Sequence, residues 1–260
     1  MYSVKEFMRV LEGFAPLLLS YKMIEKGAYD NSGVIVKNHD KIKKALFSLD
    51  LSNLTVERAL ELDCDTIVTH HPAIYSPIKS LDEDGDTAAL LTAIKNGLNV
   101  ISMHLNLDIA KNGIDQSLMD VIGGKNSRVI DIVYGECGYG KESVVERVSV
   151  EEFLQNLKEK FSSDKIILYG FGEVNKVVSF CGAGSSDALS AVEKGLTDAD
   201  TIITSDLPHH VLKALIERQK KVIIIPHYVA ENKGFEKFYE YVMQNCVNFD
   251  AYYFVDKRFM

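Results

Sequence analysis

The chain has 260 residues, of which 47% are hydrophobic, enough material for two domains of roughly 120 to 130 residues each. Its formal net charge of −8 argues against nucleic acid or a membrane as a partner, because both need a basic surface. The four cysteines have no paired spacing of the metal-binding kind, so we expect reduced structural thiols in a cytoplasmic protein.

The first half of the chain predicts alternating strands and helices. Its first residues predict a helix with a capping box formed by Ser3 and Glu6, and not a signal peptide. Apolar runs and turn signals then predict a turn at 30–33, a strand at 34–36, a strand at 45–49, a helix at 55–62, a strand at 66–69, a helix at 87–96, a strand at 98–103 and a helix at 114–122. The order of strand, helix and strand implies parallel pairing.

The second half repeats this pattern after residues 127–150, which predict antiparallel strands or a connector. The later predictions are a helix at 150–161, strands at 166–169, 177–180, 201–204 and 222–225, and helices that begin near 187 and 227. Asp65–Thr69 is matched by Asp200–Thr204, and each half carries a histidine followed four residues later by a carboxylate. We therefore predict an α/β fold of two similar α/β domains related by an internal repeat. The domains are 1–125 and 126–260, and the carboxy-terminal segment can return to the first.

Two adjacent histidines, His70 and His71, follow the predicted strand at 66–69. Adjacent residues of a regular strand point to opposite faces, so both imidazoles reach one site only if the strand has ended, and Pro72 favours such an end. The carboxyl edge of a sheet is where α/β proteins build their sites. The pattern indicates metal ligands, and two solvated loop histidines are the alternative.

A histidine and a carboxylate follow each of two later strands. His227 and Glu231 lie on one helical face if a helix begins there, and His104 and Asp108 have the same spacing. Imidazole with carboxylate and no thiolate suits Zn²⁺, Fe²⁺, Mn²⁺ or Ni²⁺. Too many ligands are available for one open zinc site, so we predict a dinuclear site with two divalent metal ions. Its predicted ligands are His70, His71, Asp108, His227 and Glu231.

Two glycine-rich stretches resemble phosphate-binding loops. Gly135–Glu142 fits poorly, because Glu142 replaces the hydroxyl that should reach Mg²⁺ and a strand is predicted after it. Cys181–Ser186 precedes a predicted helix, and it is either a phosphate cradle or a plain tight turn.

The ordered set of motifs resembles the Nif-three-like family, whose members are known as GTP cyclohydrolase I type two homologues. The residues that carry the resemblance are Asp30–Gly33, Thr69–Pro72, His104–Asp108, Cys181–Ser185, Thr204–Asp206 with His210, and His227 with Glu231. The resemblance implies two similar α/β domains, a ring-shaped homohexamer and a dinuclear metal site between the domains with the same ligands. The chain departs from the family at Tyr29, where tryptophan is usual, and at Ser205–Asp206, where Gly-Glu is usual.

Two functions follow from these expectations. The first is a metal-dependent hydrolase of a nucleotide-like substrate, for which the family suggests GTP, with His104 as the proton shuttle. In the same reading the Gly182–Ser186 turn and His210 face the phosphates. His104 is alternatively a residue that only orients the metal ligands. The second function is a non-enzymatic, ring-shaped scaffold that binds or handles metal, so enzymatic activity stays open at this point.

Overall fold

The computed structural model describes residues 1–260, which form two compact units. The first unit contains Met1–Ala110 and Phe235–Arg258, and the second contains Lys111–Gly234 and Phe259–Met260. The predicted division at 125/126 stays a prediction, because compactness alone does not show which segments fold independently.

Most elements of the first 110 residues lie where the sequence predicts them. In chain order these elements are β1 (Tyr2–Ser3), α1 (Val4–Phe14), α2 (Leu17–Glu25), β2 (Gly33–Val36), β3 (Lys41–Ile42), β4 (Lys44–Ser48), α3 (Asn53–Glu61), β5 (Thr66–Thr69), α4 (Ala88–Lys95), β6 (Asn99–Ser102) and α5 (Leu105–Ile109). The predicted capping box of Ser3 and Glu6 is present at the start of α1. The sequence did not predict α5, β1 or β3, because such short segments contain too few residues to show a hydrophobic period. It did not predict α2 either, because the apolar residues Leu17–Leu19 that begin this helix are consecutive and show no helical period.

The elements of the second unit also follow the predicted order, except that helix 209–217 was not predicted. They are α6 (Ile114–Ile122), β7 (Lys125–Tyr134), β8 (Cys137–Ser149), α7 (Val150–Phe161), β9 (Ile167–Tyr169), β10 (Glu173–Ser179), α8 (Ser185–Glu193), β11 (Thr201–Thr204), α9 (His209–Glu217) and β12 (Lys221–Ile224). The stretch at 127–150 forms the antiparallel pair β7 and β8 and is not a plain connector.

Three further elements complete the chain, namely α10 (His227–Asn245), β13 (Asp250–Tyr253) and the 3₁₀ helix η1 (Lys257–Phe259). Helix α10 begins in the second unit, and its residues from Phe235 onward belong to the first. None of the helices combines the length and the apolar character needed to span a membrane.

The sheet of the first unit has the strand order β13-β4-β5-β6-β2. The first four strands pair in parallel, as the strand–helix–strand order predicts, and β2 runs antiparallel to β6. Ser48 is in register with Thr69, and Thr69 with Ser102, so three strands end at the same level. The segments that follow β4, β5 and β6 therefore meet at one carboxyl edge. Buried Leu46, Ile67 and Val100 anchor this sheet in the core.

The sheet of the second unit has the strand order β7-β8-β10-β11-β12-β9. Its three central strands, β10, β11 and β12, pair in parallel, and their flanking partners run antiparallel. Val178, Ile202 and Val222 are fully buried against the small residues Ala188 and Ala191. Small residues on α8 let the helix pack closely on the sheet, and this brings the turn before α8 to the carboxyl edge.

We predict that Phe47→Ala destabilises the first unit strongly. The Phe47 side chain is fully buried, and its ring centroid lies 5.3 Å from that of Tyr239 and 6.1 Å from that of Phe238. Removing a buried phenylalanine ring lowers the free energy of unfolding by about 3–5 kcal/mol, because the surrounding side chains refill the cavity only partly. Urea unfolding followed by circular dichroism measures the loss.

The matched control is Phe171→Ala, since Phe171 is 87% exposed. This exposed substitution should change the free energy of unfolding by less than about 0.5 kcal/mol. Equal effects of the two substitutions would contradict the packing described for Phe47.

Candidate metal centre

The histidine pair of the first unit stands just past the end of β5. The backbone N–H groups of His70 and His71 both donate to the carbonyl oxygen of Leu49, at 3.1 and 2.9 Å. The regular ladder has therefore ended, and the two rings lie side by side with centroids 4.8 Å apart. His70 is fully buried, whereas the side chain of His71 is about a quarter exposed.

An oxygen acceptor holds one nitrogen of each ring. His70 Nδ1 donates to the carbonyl oxygen of Met103 at 2.8 Å, and His71 Nδ1 donates to the Asp50 carboxylate at 2.7 Å. Neither acceptor carries a proton of its own to donate, so Nδ1 must be the protonated nitrogen. In a neutral imidazole this leaves the lone pair on Nε2, which is the form that binds a metal ion.

His104 has the same arrangement with a buried carboxylate. Its Nδ1 donates to Asp30 at 2.8 Å, and its backbone N–H donates to Ser32 Oγ at 3.0 Å. The Asp30 carboxylate also accepts hydrogen bonds from Ser20 and Ser32. Burial by itself raises the pKa of Asp30, but the hydrogen bonds from His104, Ser20 and Ser32 outweigh it and hold the pKa below its usual value.

Helix α5 brings Asp108 to the same place. Its backbone N–H donates to the His104 carbonyl oxygen at 2.9 Å, so one helical turn separates the two residues. Asp108 is buried, and its Oδ1 lies 3.3 Å from His70 Nε2. Ligand atoms of His70, His104 and Asp108 lie within 4.8 Å of one another, close enough for these residues to hold one metal ion. His104, predicted as a proton shuttle, thus stands among possible ligands.

The second unit contains its own histidine–carboxylate pair in the first turn of α10. His227 Nε2 lies 3.0 Å from Glu231 Oε1, and His227 Nδ1 lies 2.6 Å from the Asp206 carboxylate. Burial lowers the pKa of His227, but the neighbouring Glu231 and Asp206 carboxylates outweigh it and raise the pKa to about 9. The imidazole is consequently protonated at neutral pH until a cation takes the proton's place.

Gly182 lets the turn between β10 and α8 approach this pair. A Cβ on Gly182 would lie 2.6 Å from Glu231 Oε1, and the glycine has a φ of +58°. The preceding residue, Cys181, is held on both sides, since its N–H donates to Asp115 at 3.2 Å and its carbonyl oxygen accepts from the Tyr139 hydroxyl. Whether this glycine-rich turn also binds phosphate stays a prediction.

Within each unit the structure groups most of the residues singled out in the sequence. His70, His71 and Asp108 come together in the first unit, and His227 and Glu231 come together in the second. His210 is exposed in the first turn of α9 and is not a member of any of the potential metal-binding groups.

Three carboxylates that orient the histidines were given no such role from the sequence. These are Asp30, Asp50 and Asp206. Asp50 and Asp206 each follow the end of a strand, as the histidines do. A carboxylate just past a strand end was therefore the available signal, and it is a weak one, because aspartate is common in turns for local reasons.

Comparisons with known proteins agree with this fold. The family described as Duf34/NIF3 (NGG1p interacting factor 3) matches residues 2–257. A Methanocaldococcus jannaschii protein named GTP cyclohydrolase 1 type 2 homolog is 30% identical over 251 residues, covering 93% of this chain and 95% of that protein. A Clostridium acetobutylicum protein of the same name is 28% identical over 237 residues, covering 88% of this chain and 85% of that protein.

Among solved structures, a Bacillus cereus protein related to NIF3 superimposes with a TM-score of 0.86 at 17% identity. The superposition covers 98% of this chain and 97% of that one, and at this identity it shows a shared mixed α/β fold. Since the family match extends over almost the entire sequence, the chain belongs to the Duf34/NIF3 family.

Proposed function

We propose that this protein is a hydrolase that binds two divalent metal ions and uses them to hydrolyse a nucleotide-like substrate. The observation that carries the proposal is the common orientation of four histidines, each of which has an oxygen acceptor on Nδ1. In each unit an Nε2 atom lies 3.0 to 3.3 Å from a carboxylate oxygen. The proposed ligands are His70, His71, Asp108, His227 and Glu231.

The donor chemistry of these residues fits a divalent cation. Imidazole Nε2 and carboxylate oxygen suit Zn²⁺, Fe²⁺, Mn²⁺ or Ni²⁺, and they do not select among these ions. A buried carboxylate such as Glu231 is costly unless a cation neutralises it, and a bound metal ion would replace the protonated His227 in that role. Bound metal ions would supply Lewis acidity, which lowers the pKa of water and polarises a substrate. We further propose that the two units are related by an internal repeat and contribute to one dinuclear site.

His104 is our candidate for moving a proton. Its Nδ1 is held by the buried Asp30 carboxylate, which fixes the tautomer and stabilises the imidazolium that forms when Nε2 takes up a proton. The same ring lies close enough to His70 and Asp108 to serve instead as a metal ligand or as a residue that orients the ligands. The metal content and the turnover of a His104→Gln variant distinguish these roles.

The substrate class rests on the names of the relatives. Two of them are named GTP cyclohydrolase 1 type 2 homolog, so GTP is the first compound to test. The competing function is a non-enzymatic scaffold that binds or handles metal. The change at Ser205–Asp206 favours it, because this pair differs from the family's usual Gly-Glu while the types of the proposed metal ligands are kept. In both cases we propose a ring of six copies, as the family resemblance implies.

We predict that Glu231→Gln reduces the metal content without unfolding the chain. The amide keeps the size of the side chain but removes the charge that neutralises the cation. The wild-type protein should carry about two metal ions per chain, and the variant about one or none. Elemental analysis after purification without chelator measures this. His210→Ala is the control, because His210 is exposed and lies outside the donor groups. A Glu231→Gln variant with full metal content would refute the ligand assignment.

We predict that metal affinity rises with pH up to about pH 9. A metal ion must displace the proton of His227, whose pKa is raised to about 9, so affinity should rise about tenfold per pH unit below that value. Stability of the metal-free chain has the opposite dependence. The protonated His227 contributes fully below about pH 6.5, and its contribution is lost as the pH rises through about 9.

Metal titration by calorimetry, with urea unfolding of chelator-treated protein, measures both dependences. Asp206→Asn removes one of the carboxylates that raise the pKa of His227, so both transitions should move to lower pH. Metal affinity that stayed constant across this range would contradict a role for His227 as a ligand.

We predict that GTP raises the melting temperature of the metal-loaded protein, because a ligand that binds only the native state stabilises it.

His104→Gln should lower turnover by about 100-fold and leave the metal content unchanged if His104 moves a proton. Loss of metal in this variant would make His104 a ligand. Stabilisation by GTP without any turnover in the wild-type protein would favour the scaffold.

A further inference from the structure

Two half-exposed tyrosine side chains pack against each other, and one of them, Tyr75, also packs against His104. Tyr29 is 50% exposed and Tyr75 is 56% exposed, and their rings pack edge to face with centroids 5.2 Å apart. The ring of Tyr75 stands almost perpendicular to the imidazole of His104, with centroids 6.2 Å apart. The pair of Phe47 with Phe235 in the same unit, by contrast, is fully buried. The tyrosine pair thus offers aromatic surface to solvent next to the candidate site.

Hydrogen bonds of neighbouring residues connect the segments that carry the two tyrosines with each other and with His104. Asp30 follows Tyr29 directly, and its carboxylate accepts the hydrogen bond of His104 Nδ1. The side-chain amide of Asn31 donates to the carbonyl oxygen of Ile74 at 2.7 Å, which holds the segment carrying Tyr75 against the turn carrying Tyr29. Hydrogen bonds therefore hold together the backbone segments that carry the two rings, and the Asp30 bond in the first of these segments also orients His104.

The segment that carries Tyr75 also lines a cavity. Residues 72–87 contain no helix or strand, and most of them surround a space of about 520 Å³. This volume lies within the range of roughly 300 to 1,000 Å³ that is usual for small-molecule sites. Tyr75, Ile78 and Leu90 give the wall an apolar part, and Lys79 and Asp86 give it charges of both signs. Of the tyrosine pair and His104, only Tyr75 lines this cavity, and the charges of its wall select no ligand by sign.

We infer that Tyr29 and Tyr75 form a subsite that binds a planar aromatic heterocycle beside His104. An edge-to-face pair leaves ring faces uncovered, and flat rings are the ligands that stack on such faces in offset or perpendicular geometry. Aromatic side chains bind bases of any sequence in this way, because every base presents a π-face. The inference rests on the proposed function, because the bound heterocycle would lie next to His104 and the proposed metal centre. It adds two residues, Tyr29 and Tyr75, that select the substrate.

Calorimetric titration of the metal-loaded protein tests the subsite. The ring-bearing probes are GTP and flavin mononucleotide, and inorganic tripolyphosphate is the probe without a ring. Tyr75→Leu and Tyr29→Leu should each weaken binding of the ring-bearing probes by about tenfold or more, because stacking is lost. Neither variant should alter tripolyphosphate binding or metal content. Tyr75→Phe should bind as the wild-type protein does, since it keeps the ring.

The matched control is Tyr134→Leu, because Tyr134 is similarly exposed, at 52%, on β7 of the second unit. The subsite is refuted if Tyr75→Leu binds the ring-bearing probes like the wild-type protein, if Tyr134→Leu weakens them equally, or if a metal-loaded wild-type protein binds neither of them. If the wild-type protein takes up no metal but still binds these probes through the tyrosines, the proposed metal centre is refuted and the subsite is kept. Light scattering shows whether a lost affinity stems from a changed assembly, which would also refute the subsite.

Discussion

The hydrogen bond from a histidine Nδ1 to an oxygen acceptor is the interaction on which the candidate site depends. A neutral imidazole has one N–H, and donating it from Nδ1 to an acceptor places on Nε2 the lone pair that can bind a metal ion and fixes the ring plane. Asp50 does this for His71, Asp30 for His104 and Asp206 for His227. Without these partners the rings would sample both tautomers, and metal binding would first have to order them.

The strand register makes these hydrogen bonds possible. In the first unit Ser48, Thr69 and Ser102 end three parallel strands at one level, so the residues after them become neighbours although they are distant in sequence. The strands themselves are fully buried over Ala45–Ser48 and Thr66–Thr69. A rigid, close-packed sheet of this kind positions side chains at its edge more accurately than a mobile loop would.

Local sequence signals predicted most of the fold. The capping residue Ser3 predicted where α1 begins, because a cap is a contact between residues three apart in the chain. Runs of β-branched residues predicted the parallel strands, because a buried strand needs them on both faces. Strand β13 was not predicted, since its pairing with β4 depends on a partner about two hundred residues away, as in the register of Tyr253 with Phe47.

The sequence by itself determined the types of residue in the candidate site and where in the fold they stand, because a histidine just past a strand end lies at the sheet edge whatever else surrounds it. Only the tertiary structure decided which oxygen holds each ring. His71 and Asp50 are 21 residues apart, and His104 and Asp30 are 74 residues apart. The approach of Gly182 to Glu231 likewise joins segments that share no local pattern. Tertiary packing brings such pairs together, and the spacing of residues along the sequence does not predict it.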